Sequence, residues 1–166
     1  MGMPATAADR LPSGDQLLML EREVRAQGTG LRTAQLLGCW KLRQVWPKGS
    51  SSVASLSSVL LRSLDASLML SAGASQSELA IANSVTLGAL RLRFDGLGRL
   101  LGKRPLLQFS FSSVELSLAG QVLLKRPLAP TTRQRLPFFA LIARDSSGWL
   151  AARGRGGGLA LWRLAP

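Results

Sequence analysis

The sequence predicts a mainly β domain: an antiparallel barrel with one helix at its N-terminal end and room for one short internal helix. Three observations predict it. From Gly38 onward apolar residues recur mostly with period two; Leu79, Ile81, Asn83, Val85 and Leu87 alternate with Ala80, Ala82, Ser84 and Thr86. Short segments of this kind follow one another at regular spacing, separated by glycine, proline and serine turns. Before Gly38 the period is that of a helix. Seven to nine short strands after one helix fit a barrel or sandwich rather than βαβ units.

In chain order, residues 1–12 read as a flexible tail and residues 13–166 as a single domain. Ser13 followed by Gln16 is a capping box, opening a helix over 13–27 that carries Leu17, Leu18, Leu20 and Val24 on one face and its Glu and Arg residues on the other. Gly28-Thr29-Gly30 breaks it, and residues 31–37 suit a short second helix. The barrel is expected over about residues 36–164. Its first strand runs from Gly38 to Trp46, with Trp40, Leu42 and Gln44 on one side. Residues 50–62 stay open between a short helix, from Val53, Leu56 and Leu60, and a strand.

Strands follow over 64–71, 79–87 and 90–94, and Asp95-Gly96-Leu97-Gly98 reads as a turn. Residues 106–118 form the longest strand. Phe109 and Phe111 are odd-numbered while Val114, Leu116 and Leu118 are even, so a β-bulge at Ser112-Ser113 is needed to keep one apolar face. A further short strand is expected over 120–124. Pro127, Pro130 and Pro137 bracket a loop carrying Arg133 and Arg135, and three closing strands occupy 138–143, 149–153 and 159–164.

Composition narrows the function. The 166 residues are 46% apolar, enough for a real core, and no helix-length apolar run is free of charge. Met1 to Arg10 lacks a basic cluster followed by an apolar stretch, so no secretory signal is expected. Residues 1–80 hold eight basic and six acidic side chains; residues 81–166 hold thirteen and three. The net +12 is therefore concentrated in the second half, a field that attracts nucleic acid or an anionic membrane surface.

Conventional catalysis has little to work with. Histidine and tyrosine are absent, which removes a His-based triad and the commonest acid–base groups. The nine carboxylates are scattered and Cys39 stands alone, so neither a metal site nor a cofactor is expected. Cys39 reads as a small buried hydrophobe, and Glu115 as a strand residue facing solvent or an arginine. Gly96 to Gly102 departs from a dinucleotide fingerprint by one position and reads as a loop. Arg153-Gly154-Arg155-Gly156-Gly157-Gly158 reads as a hairpin turn rather than an RNA-binding repeat, since it is single and flanked by Trp149-Leu150 and Leu159-Ala160-Leu161-Trp162.

Three segments together resemble the plastid-lipid-associated, or fibrillin, family. Leu37-Gly38-Cys39-Trp40-Lys41-Leu42 resembles its opening strand, and lipocalins begin their barrel with a similar Gly-x-Trp. Ile81-Ala82-Asn83-Ser84-Val85 is similar to the family's Asn-Ser-Val strand, and Arg153-Gly154 through Trp162 to its closing hairpin. The family's acidic pair before that Arg-Gly is reduced here to Asp145, and no transit peptide is seen, which points to a cyanobacterial type of member. The resemblance implies a lipocalin-like barrel, without enzymatic activity, that binds or sequesters a lipid, carotenoid or quinone at a photosynthetic membrane. The implied location is the cytoplasm or the thylakoid surface.

The candidate interior, ligand-facing residues are Trp40, Leu42, Leu92, Phe94, Phe109, Phe111, Phe138 and Trp162. The candidate membrane-docking residues are Lys103, Arg104, Lys125, Arg126, Arg133 and Arg135, all in expected loops. Two alternatives stand beside this reading: a basic nucleic-acid-binding module, and a structural partner of a membrane complex. Scarce aromatics weaken the first of these.

Overall fold

A computed structural model describes residues 10–49 and 65–166. Helix α1 spans Gly14–Gln27 and begins with the capping box read from the sequence: the Gln16 amide donates to Ser13 Oγ at 3.2 Å, and the Ser13 amide to Gln16 Oε1 at 2.8 Å. It ends at Gly28, which takes φ 77° and donates its N–H to the Val24 carbonyl. A side chain there would also collide, because a Cβ would lie 2.6 Å from the Lys103 carbonyl oxygen. The short helix α2 occupies Thr33–Leu36, inside the expected 31–37. Residues 1–9 and the ambiguous stretch 50–62 lie outside the described residues.

Among the described residues nine strands form one antiparallel sheet. They are β1 (Gly38–Trp46), β2 (Ala66–Ala72), β3 (Glu78–Leu87), β4 (Leu90–Leu101), β5 (Leu106–Leu118), β6 (Gln121–Pro127), β7 (Phe138–Arg144), β8 (Trp149–Gly154) and β9 (Leu159–Leu164). Their order is β4-β3-β2-β1-β9-β8-β7-β5-β6, and a full-length β4–β5 pairing closes the first eight of that order into a ring. Strand β6 hangs on β5 outside it. One edge of β5 is thus shared: Leu106, Leu107 and Gln108 pair with β7, whereas Ser113 to Leu118 pair with β6. The three-pair β5–β7 contact is a seam.

Two bulges set which residues face inward. Opposite Asp95 and Gly96, β5 presents Ser113 and Phe111, so Ser112 is the extra residue, as the parity slip in the sequence demands. In β1 the register shifts between Leu42 and Gln44. Leu42 therefore opposes the inward Trp162, Gln44 opposes Leu161 on the outer face, and Val45 replaces Gln44 inside. The expected turn at Asp95 to Gly98 is instead continuous strand. Its glycines serve close approach: a Cβ on Gly96 would run into the Ser110 carbonyl oxygen, and one on Gly98 would come within 3.3 Å of Leu107 Cδ1. The real turn falls between Leu101 and Leu106. Strand β6 also runs on to Pro127, past the expected Leu124.

The core has two layers. Inside the barrel, Trp40, Leu68, Leu70, Ile81, Leu107 and Leu141 pack with Leu36 of α2, which covers the end where β1 starts. Trp40 is fully buried; its indole N–H donates to the Leu36 carbonyl at 2.8 Å, and the Arg144 guanidinium sits 5.5 Å from its ring centre. Outside the barrel, Leu17 of α1 packs on Trp46, Ile142, Ala151, Leu159 and Leu161. Helix α1 thereby lies over the outer face beside the seam.

Candidate ligand-binding site

At the end of the barrel where β1 finishes and β2 begins, the described residues leave the inner wall unfilled. A cavity of about 340 Å³ is lined by Leu42 and Val45 of β1, Leu68 of β2, Asn83 and Val85 of β3, and Phe139, Ala160 and Trp162. An eight-stranded barrel is just wide enough for its side chains or one small ligand, and small residues such as Ala160 leave the room. A volume of that size holds roughly ten methylene groups, each taking about as much space as a water molecule, ~30 Å³. Asn83 makes no side-chain hydrogen bond among the described residues, so its amide is available as a polar anchor in an apolar pocket.

A row of aromatic rings leads from this cavity across the inner wall. Trp162 meets Phe139 edge-on at 5.3 Å between ring centres, Phe139 meets Phe109 at 5.1 Å, Phe109 meets Phe111 at 5.4 Å, and Phe111 meets Phe94 at 5.5 Å. Such pairs add about 0.5–1.5 kcal/mol each beyond area burial.

The interior candidates divide accordingly. Trp162 and Leu42 line the cavity, Trp40 and Phe109 are buried core, and Phe94 and Phe111 are half-buried in the aromatic row. Leu92 is exposed, beyond the closed part of the barrel. Phe139, not Phe138, is the ring that joins the aromatic row and the cavity. Compared with protein-family models, curated proteins and solved structures, the chain matches none.

The basic candidates are not brought together. Lys103 and Arg104 sit in the β4–β5 turn, about 30 Å along β5 from the level of Glu115, where Lys125 pairs, at ~3.3 Å per residue. Arg133 and Arg135 lie in a short 3-10 turn near the mouth of a separate outer groove. Arg104 is committed elsewhere, to Glu21.

Glu21 is the charged residue that sequence reading placed on the solvent face of α1 and that the structure buries. Its carboxylate accepts from Arg153 Nε and Nη2 at 2.6 Å each, from Arg104 at 3.3 Å and from Arg25 at 3.4 Å. The hydrogen bonds from Arg153 hold its pKa below the ordinary glutamate range; burial opposes this, and attraction to Arg153, Arg25 and Arg104 adds to it. Arg153 is raised in turn by the same contact. Because Arg104 precedes β5 and Arg153 lies on β8, beyond β7, this cluster ties the two sides of the seam through α1. Cys39 is half-buried, and no cluster of three metal-binding side chains occurs among the described residues. No described helix is long and apolar enough to cross a membrane.

Proposed function

We propose that this protein binds one hydrophobic small molecule at the open end of the barrel, without catalysis. The observation that carries the reading is the 340 Å³ apolar cavity, walled by Phe139 and Trp162 and offering Asn83 as its polar anchor. Its size fits about ten carbons of an acyl chain, a quinone head or an isoprenoid segment rather than a whole carotenoid or glycerolipid. The resemblance to the plastid-lipid-associated family enters here as part of the proposal, with a thylakoid or cytoplasmic setting and a lipid, carotenoid or quinone as the ligand class. Of the residues quoted for that resemblance, Trp40 is buried in the barrel core, Asn83 lines the cavity and Arg153 pairs with Glu21.

A nucleic-acid-binding role is disfavoured by the placement of the aromatic row, which runs along the inner wall rather than beside the basic loops. The test is extraction of the purified protein with organic solvent and mass spectrometry of the extract, followed by titration with a polyene fatty acid read by quenching of tryptophan fluorescence. A stoichiometric lipid or quinone, and saturable quenching lost in Ala160→Phe, are expected. A protein that yields no lipid and shows no saturable quenching would overturn the proposal.

A further inference from the structure

Strands β4, β5 and β6 continue past the closed ring as a flap, with the end of β3 along one side. Pairing of β2 with β3 stops at Ala66 opposite Val85, yet β3 and β4 run on to the hairpin at Leu87 and Leu90. Pairing of β7 with β5 stops at Gln108, yet β5 runs on to Leu118. The β3–β4 and β5–β6 turns meet at the tip, where the Ala119 amide donates to the Ala89 carbonyl at 2.8 Å.

The two faces of this flap differ sharply in chemistry. One carries a charge ladder: Arg93 lies opposite Glu115, which lies opposite Lys125, and Arg93 also holds Asp95 at 2.7 Å. The other continues the inner wall of the barrel: Leu92 opposes Leu116, which opposes Leu124, while Leu90 opposes Leu118. Among the described residues no opposite wall covers that face. Of the twelve exposed large apolar residues among those described, seven belong to the flap, and five of these, the leucines at 87, 90, 92, 118 and 124, lie on this face; Val122 opposes Ser117 on the other. An apolar surface so concentrated marks an interaction site.

The charges around it choose the partner. The acids of the flap, Asp95 and Glu115, are already paired with Arg93 and Lys125. Arg91, registered against Ser117, belongs to the charge-ladder face. Arg126, registered against Val114 on the leucine side, has no ion-pair partner among the described residues, so that face presents apolar side chains beside a free positive charge. A second copy would bring the same positive charge against itself in a chain of net +12. An anionic bilayer surface offers both complements at once, acyl chains for the leucines and a headgroup for Arg126.

We infer that the flap is the membrane-docking element: its leucine face enters the headgroup–acyl boundary of an anionic leaflet, and Arg126 holds a lipid headgroup. Because that face is continuous with the barrel wall through Val85 and Phe94, the docked flap leads from the leaflet to the cavity mouth. This deepens the ligand-binding reading and rests on it only for what travels along the face.

The experiment is sedimentation of the full chain with vesicles of phosphatidylglycerol and phosphatidylcholine, against vesicles of phosphatidylcholine alone, with fatty-acid quenching measured in parallel. Leu90→Asn/Leu118→Asn should lower partitioning to the anionic vesicles at least about tenfold. Arg126→Gln should lower it up to about fivefold, with the difference vanishing at high salt. Leu97→Asn, an equally exposed leucine outside the flap face, should leave it unchanged. Unchanged partitioning of the double variant, or an equal loss in Leu97→Asn, overturns the inference. So does a lipid-free dimer by light scattering that the double variant returns to monomer. Lost vesicle binding with intact quenching, on a circular dichroism spectrum like that of the unaltered protein, is the expected pattern; lost quenching without lost vesicle binding would remove the ligand reading and leave the docking surface standing.

Discussion

Replacing Glu21 by alanine removes a side chain that touches both sides of the β5–β7 seam. The carboxylate is 4% exposed, and its arginine partners differ in how much water they keep: Arg153 is 21% exposed, Arg104 34% and Arg25 56%. The Arg25 contact is a helix-surface pair, worth about 0.3–0.5 kcal/mol. The contacts to Arg153 and Arg104 matter more, because their loss strands two part-buried guanidinium groups. Breaking a buried pair from one side costs about 3–5 kcal/mol, and the residual solvent access of both arginines selects the lower end, about 3 kcal/mol. A domain of this length shifts by roughly 2–4 °C per kcal/mol, so Tm is expected to fall by about 6–12 °C. Thermal unfolding followed by circular dichroism near neutral pH measures it. Arg25→Ala should move Tm by less than about 2 °C. In the cycle of Glu21→Ala with Arg153→Ala, the double variant should lose clearly less than the sum of the single losses. A Tm for Glu21→Ala within about 2 °C of the unaltered protein, or strict additivity in the cycle, would refute the claim that this cluster holds the seam.

Acid should act through the same residue. The folded pKa of Glu21 is depressed, so its contribution is complete above the unfolded value of about 4.3 and is lost as pH falls through the folded value; a denaturant-midpoint profile should decline below about pH 4.3, and less steeply in Glu21→Gln. The two buried indoles should respond differently to loss of the N–H. Trp40→Phe strands the Leu36 carbonyl and should cost about 1–3 kcal/mol, whereas Trp46 has no hydrogen-bond partner among the described residues, so Trp46→Phe should be cheaper by chemical denaturation. Gly96→Ala should destabilise by about 1–3 kcal/mol, because the new methyl group runs into the Ser110 carbonyl across the β4–β5 ladder; an unchanged denaturation midpoint would contradict that contact.

The sequence carried most of the strand pattern because period two needs no knowledge of neighbours. The parity slip after Phe111 even located a bulge, since an unbroken strand would turn Val114, Leu116 and Leu118 away from the wall that Phe109 and Phe111 face. The bulge in β1 left no such trace: Val45 and Trp46 are both apolar, and either is a plausible inward residue until α1 is seen covering Trp46. Gly96 and Gly98 read as a turn because a glycine needed for close approach looks the same in one dimension as a glycine needed for reversal. Phe138 and Phe139 are adjacent and equivalent by composition, and β7 has its own register shift between Leu141 and Ala143, so a short alternation could not choose between them. Glu21 carried one usable signal. It lies four residues after Leu17, on the same helical stripe, and that stripe is buried. The basic residues were grouped by their expected loops, but Lys125 and Arg126 lie within β6, paired well along β5 from the turn that carries Lys103 and Arg104.

The ring joins β1 to β9, with Trp40 registered against Leu164. During synthesis the ribosome adds the intervening ~120 residues at roughly 5–20 per second, so the first strand waits on the order of 6–25 s for its second neighbour. Through that interval the nascent sheet keeps one apolar side without its opposing wall. Closure is therefore a late event in the life of each molecule, and slowing translation before the last hairpin should lengthen exposure to aggregation more than slowing it anywhere earlier.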